Sequence, residues 1–180
     1  MRGTSSVRRL VASALCIAIG VTLPQAFHMI PNAGSILLPM HIPVLLCGLL
    51  CGWKYGLVVG ALTPALSSLI TGMPAAAILP GMICELAAYG LVSGLIAGNA
   101  RGGKRVMNLY AALICAMLVG RVFSGVLNGL IFRAGDYSLT LWLMASFVTA
   151  LPGIVIQLAL IPALVMTLEK ARVLPMPAHP

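Results

Sequence analysis

A few polar and ionisable side chains stand inside otherwise apolar stretches of this chain: His41, Glu85, Tyr89, Arg121, Asn128 and Gln157. A charge at the centre of a membrane span costs about 2.5–3.5 kcal/mol on insertion scales, so each such residue is a functional candidate by default. Glu85 and Tyr89 are four residues apart and share a helical face, while Arg121, Ser124 and Asn128 stand at i, i+3 and i+7, one stripe of a helix. Gln157 follows Pro152-Gly153 by about a turn. His41 lies between Pro39 and Pro43. Each proline lacks an N–H and crowds the preceding turn, so no undisturbed helix runs through this segment. Backbone broken at membrane depth survives only when buried in protein or lining a cavity. Two chemistries suit these residue types. As donors and acceptors, Glu85, Tyr89, Asn128 and Gln157 can hold a polar ligand, with His41 closing the site and Asn32 in a nearby loop beside Pro31. As an acid–base pair, His41 and Glu85 would serve an intramembrane enzyme. Glu85 and Arg121 can also pair with each other and brace the bundle.

The elements that position these residues follow from composition. Of 180 residues, 61% are hydrophobic and 8% charged, with mean hydropathy +1.08, outside the range of a soluble globular domain. The chain reads as an all-α integral membrane protein, one membrane domain over 1–180. Apolar runs set against the roughly 20 residues that cross about 30 Å of hydrocarbon predict six spans, at 8–27, 37–51, 55–71, 78–98, 107–132 and 141–168. The net charge of +8 is distributed by topology rather than gathered on a nucleic-acid face. With six spans both termini share a side, and that side holds Arg2, Arg8, Arg9, Lys54, Arg101, Lys104, Arg105, Lys170 and Arg172, against Arg133 on the other. The asymmetry places both termini in the cytoplasm, with Trp53 and Tyr55 at the interface. Arg8-Arg9, the following apolar run and Ala26 imitate a signal peptide, but cleavage would leave five spans and weaken that asymmetry. Cys16, Cys47, Cys51, Cys84 and Cys115 show no metal-type spacing and read as small apolar packing residues.

Lipid supplies no hydrophobic force between helices, so close packing depends on small residues. Gly48, Gly52, Gly56 and Gly60 recur every four residues, and Gly94 with Gly98 and Gly125 with Gly129 repeat the spacing. Ala14 and Ala18 form a similar stripe on the first span, facing either the bundle or a partner protein. Glu85 and His41 come early in spans that begin outside, which directs the site outward beneath loops containing Gly and Pro.

Six short spans, cytoplasmic termini, the Ala14/Ala18 stripe and an outward polar site resemble the substrate-binding S component of energy-coupling factor (ECF) transporters. The run over residues 37–46, with Leu38-Pro39-Met40-His41-Ile42-Pro43 at its centre, followed by Gly52-Trp53-Lys54-Tyr55-Gly56, is similar to a branch of that superfamily without an assigned substrate. The resemblance implies capture of a vitamin or related micronutrient, with Glu85 and Gln157 as the matching binding positions. It also implies docking through Ala14 and Ala18 on a T component driven by two ATPases, in a bacterial cytoplasmic membrane. It implies no cofactor and no metal. The sequence carries no phosphate loop, in keeping with ATP hydrolysis on separate subunits. Among substrates, an acid and a histidine suit a heterocycle with a cationic or hydrogen-donating group, whereas an unpaired Arg121 suits a carboxylate; pantothenate, folate, a thiamine precursor and queuosine-type deazapurines all remain open. The rival classes are a self-sufficient small transporter or channel, which shows no clear inverted repeat here, and a membrane enzyme. The enzyme reading finds no His-Glu-x-x-His, no Gly-x-Ser-x-Gly and no paired intramembrane aspartates.

Overall fold

The computed structural model describes residues 2–27, 33–99, 105–132 and 138–171. Among the described residues all regular structure is helical: α1 Arg2–Ala26, α2 Ala33–Leu37, α3 His41–Cys51, α4 Trp53–Thr71, α5 Leu79–Asn99 and α6 Arg105–Leu127, then α7 Leu139–Leu143 and α8 Leu151–Lys170. Two π-helical stretches, Asn128–Phe132 and Met144–Thr149, extend α6 and join α7 to α8. Asn32 and His28, together with Arg101, Lys104, Arg133 and Arg172, lie outside the described residues.

Among the described residues, five helical stretches are long and apolar enough to cross a membrane: Ser6–Ala26, Gly34–Cys51, Leu79–Asn99, Arg105–Leu130 and Leu151–Lys170. The span expected at 55–71 forms a helix of 19 residues, α4, but it is more polar than these five, carrying Lys54, Thr63, Ser67 and Ser68. The span expected at 141–168 is divided, because the π-helical stretch ends at Ala150 and α8 starts afresh with Pro152 in its first turn. Proline belongs there, since the first N–H groups of a helix have no intrahelical partner to lose.

The core draws on α3 to α6 and α8, where Val44, Leu45, Leu49, Val59, Leu86, Leu109, Leu113, Ile161 and Val165 are fully enclosed, and α1 adds Ala12, Cys16 and Ile17 from the side. What brings α3, α4 and α5 together is the glycine file. A Cβ at Gly56 would strike the Gly90 carbonyl, one at Gly90 the Gly56 carbonyl, and one at Gly60 the Leu86 carbonyl. Gly48 faces Gly90 and Ser93 in the same way, and Gly94 faces the Trp53 backbone. Backbone therefore lies on backbone, the geometry that small residues permit in a bilayer. Gly52 turns the corner between α3 and α4 at φ 97°, in the left-handed region that favours glycine.

α1 is the least enclosed of the five apolar stretches. It touches the bundle through Gly20 against Thr63 and Pro43 and through Ser13, whose hydroxyl lies 3.4 Å from the Cys47 sulfur. Ala14 and Ala18 are exposed on the opposite side, beside Leu15 and Ile19. All five cysteines are free thiols, Cys47 and Cys51 buried.

Replacing Gly56 by leucine forces α4 away from α5 and is expected to lower the unfolding midpoint in detergent, with a loss of about 1–3 kcal/mol. Gly34→Ala, at a position with no heavy atom near the added Cβ, is the control and should leave the midpoint unchanged.

Candidate functional site

The site begins at the break between α2 and α3. Leu38 sits at φ 50°, a left-handed conformation unusual for a residue with a branched side chain, followed by a turn at Pro39 and Met40. His41 opens α3 and Pro43 falls within its first turn, where it costs little. The Leu38 carbonyl accepts from the His41 N–H at 3.1 Å and from the Gln157 side-chain amide at 3.4 Å. Gln157 reaches it because Gly153, one turn earlier, lets α8 lie against the Ile36 and Leu37 carbonyls. The Leu38 carbonyl at the break, already met by the His41 N–H, thus takes a second donor from a side chain 119 residues away. Since Leu38 offers an oxygen, Gln157 must present its NH₂, which leaves its Oε1 without a partner.

His41 is buried, and neither ring nitrogen has a hydrogen-bond partner among the described residues. Its Nε2 lies 3.8 Å from Glu85 Oε1, beyond hydrogen-bond reach and close enough for one intervening atom to serve both. The imidazole also meets the Tyr89 ring edge-on, centroids 5.3 Å apart. Tyr89 is fully buried over Gly120, which leaves its ring the room a side chain would take. Its hydroxyl donates to Glu85 Oε1 at 3.1 Å and accepts from Arg121 Nε at 2.9 Å. Glu85 and Arg121 are therefore joined through the phenol rather than directly. The Arg121 guanidinium lies 5.8 Å from the Phe147 ring centre, a cation–π distance. Phe147 in turn meets Trp142 edge-on at 5.9 Å, and Trp142 packs over Gly125.

His41, Glu85, Tyr89, Arg121 and Gln157 thus come together around the start of α3. Asn128 turns elsewhere. Its amide donates to the Ser124 carbonyl at 2.8 Å and hydroxyl at 3.2 Å. Ser124 donates to the Gly81 carbonyl at 3.0 Å, and Asn128 packs on Gly81. That trio braces the start of α5 against α6. Asn32 falls outside the described residues. The turn after α4 is tied back to it, Ser68 donating to the Pro74 carbonyl at 2.9 Å and Thr71 accepting from the Met73 N–H at 3.3 Å. Sequence reasoning missed Phe147, Trp142 and the Leu38 carbonyl. Two aromatic rings in an apolar segment look like packing, and a π-helical stretch changes which face each residue presents.

The opposite end of the bundle is marked by an Arg105–Glu169 ion pair, where α6 begins and α8 ends, and by Lys54 over the Trp53 ring at 5.5 Å. Glu85 is the seventh residue of α5 and Gln157 the seventh of α8, while Arg121 comes late in α6. The polar constellation accordingly sits away from the end that carries the basic residues.

The family model of the ECF transporter substrate-specific component matches residues 8–165. The chain belongs to that family. No curated protein and no solved structure matches it. An S component is the substrate-binding subunit of a transporter rather than an enzyme. Its apolar helices make it a multi-pass membrane protein.

Tyr89→Phe removes the hydroxyl shared by Arg121 and Glu85 and leaves the buried Arg121 and the partly buried Glu85 each short of a partner. The expected cost is about 1–3 kcal/mol, read as a lower unfolding midpoint in detergent, with the helical circular dichroism spectrum retained below it.

Proposed function

We propose that this S component captures a small polar micronutrient from outside the cell in a site formed by His41, Glu85, Tyr89, Arg121 and Gln157. It passes the ligand inward together with a T component and two ATPase subunits. The whole chain acts as one membrane domain in a bacterial cytoplasmic membrane. α4 completes six crossings, and the basic ends of the helices keep both termini in the cytoplasm. The observation that carries this reading is the set of buried polar atoms left unmet among the described residues: both ring nitrogens of His41 and Oε1 of Gln157, with His41 Nε2 3.8 Å from the Glu85 carboxylate and the Gln157 amide on the Leu38 carbonyl. A buried polar atom without a partner costs about 1–3 kcal/mol, and a ligand that supplies the missing hydrogen bonds recovers that cost on binding. Asn128 supports the site from the α5–α6 contact.

The exposed small-residue face of α1 suits a different partner. Ala14 and Ala18 leave a shallow, smooth surface on the least enclosed helix, and a helix of the T component can approach it closely.

His41→Ala and Glu85→Gln are expected to weaken ligand binding by about tenfold or more while the purified proteins stay folded. Unchanged affinity in both variants, measured by equilibrium binding of the molecule that co-purifies with the wild type, would remove them from the site. Ala14→Trp with Ala18→Trp is expected to leave binding intact and abolish uptake; a doubly substituted protein that still co-purifies with its ATPase module and transports normally would refute the docking assignment.

A further inference from the structure

The phenol of Tyr89 is not enough by itself to keep Arg121 off Glu85. A guanidinium carries donors on Nη1 and Nη2 as well as on Nε, and its strongest partner in a low-dielectric interior is a carboxylate met by parallel N–H groups. Glu85 stands on the neighbouring helix, yet among the described residues the close pairings of acid with base are His41 with Glu85 and Arg105 with Glu169. Arg121 instead gives Nε–H to the Tyr89 hydroxyl at 2.9 Å, a hydrogen bond to an uncharged oxygen and weaker than the ion pair it replaces. Its second hold is the ring of Phe147, 5.8 Å from the guanidinium carbon. Arg121 is buried, and a desolvated cation is drawn most strongly to an aromatic face.

We infer that Phe147 is a positioning residue: its ring holds the Arg121 guanidinium at Tyr89 and so keeps the Glu85 carboxylate open toward His41. The consequence for ligand affinity rests on the reading of the site as one of substrate capture. The ring is itself held in place. Trp142 meets it edge-on at 5.9 Å, with an interplanar angle of 88°, and the Trp142 indole fills the space over Gly125, about one turn beyond Arg121 on α6. Arg121, Phe147, Trp142 and Gly125 therefore close a circuit that starts and ends on α6. Phe147 enters it from the π-helical stretch Met144–Thr149, a rare conformation that is frequent at functional sites. An aliphatic side chain at position 147 would fill the space but lack the attraction. Arg121 would then close on Glu85, and the carboxylate would accept from the guanidinium in place of a ligand.

The test reads the carboxylate. The chain contains two glutamates, Glu85 and Glu169, so infrared spectra of protein isotope-labelled at the glutamate carboxyl carbons report on these alone, and the band lost in Glu85→Gln belongs to Glu85. Phe147→Leu is expected to shift that band as a direct guanidinium pair forms, while Phe147→Tyr, which keeps the ring, leaves it in place. The ring acts on Glu85 through Arg121 and Tyr89, so lost packing by itself does not move the band. In equilibrium binding of the compound released by denaturing the wild-type protein, Phe147→Leu is expected to weaken affinity about tenfold or more, and Phe147→Tyr by less than about twofold. Both variants should keep the wild-type helical circular dichroism spectrum. A Glu85 band unmoved by Phe147→Leu, a band shifted equally by Phe147→Tyr, or wild-type affinity in Phe147→Leu overturns the inference and leaves the capture reading standing. Wild-type protein that releases no compound overturns the capture reading, and the infrared bands then decide the inference alone.

Discussion

One phenolic oxygen holds opposite charges on two helices together without letting them touch. Tyr89 accepts from Arg121 and donates to Glu85, so a guanidinium on α6 and a carboxylate on α5 share a neutral bridge. A direct pair would satisfy both charges with each other and leave little for a third party. The bridge instead orients the carboxylate, keeps the pair electrically balanced and leaves lone pairs available toward His41. It depends on Gly120, because any side chain there would occupy the volume of the Tyr89 ring. Removing the bridge takes a hydrogen-bond partner from the buried Arg121 and from the partly buried Glu85.

The second constraint is the interrupted helix. Hydrocarbon forbids unpaired backbone, so a break with prolines at 39 and 43 must be satisfied from elsewhere in the protein. Gly153 and Gln157 are the answer, one allowing α8 to approach and the other donating to the Leu38 carbonyl. The same arrangement strands Gln157 Oε1 and both nitrogens of His41. The amide that adds a second donor to the Leu38 carbonyl thus holds an unpartnered acceptor on the same side chain.

Behind both lies the close contact of α3, α4 and α5 along their glycines, which sets the distance between His41 on α3 and Glu85 on α5. Backbone-to-backbone contact leaves little play, so the 3.8 Å separation of the imidazole and the carboxylate is held by the scaffold rather than by any bond between them. α1 stands apart from this rigid part, joined through Gly20, Ser13 and a few apolar contacts. The exposed Ala14 and Ala18 face of α1 and the His41–Glu85 cluster accordingly fall on different helices.

Much of this was legible from the residues in order. Hydropathy marks apolar runs, proline marks a broken helix, and a four-residue glycine repeat marks a close approach, because each is a local property of the chain. The Glu85–Tyr89 pairing was readable too, since helical spacing alone puts the two on one face. Other features were not. Whether Arg121 meets Glu85 or Tyr89, and that Asn128 turns to Ser124 and Gly81 rather than toward His41, depends on how α5 and α6 are rotated against each other. The division of the stretch over 141–168, which brings Phe147 over Arg121, depends on π-helical turns that shift every face they follow. By itself the sequence determined a helical membrane protein with a polar site at a proline break, because burial preference and backbone restriction act within a few residues. Only the tertiary structure decided which polar groups satisfy one another and which of the described ones are left without a partner, because hydrogen bonds are made over a few ångströms between helices far apart in the chain.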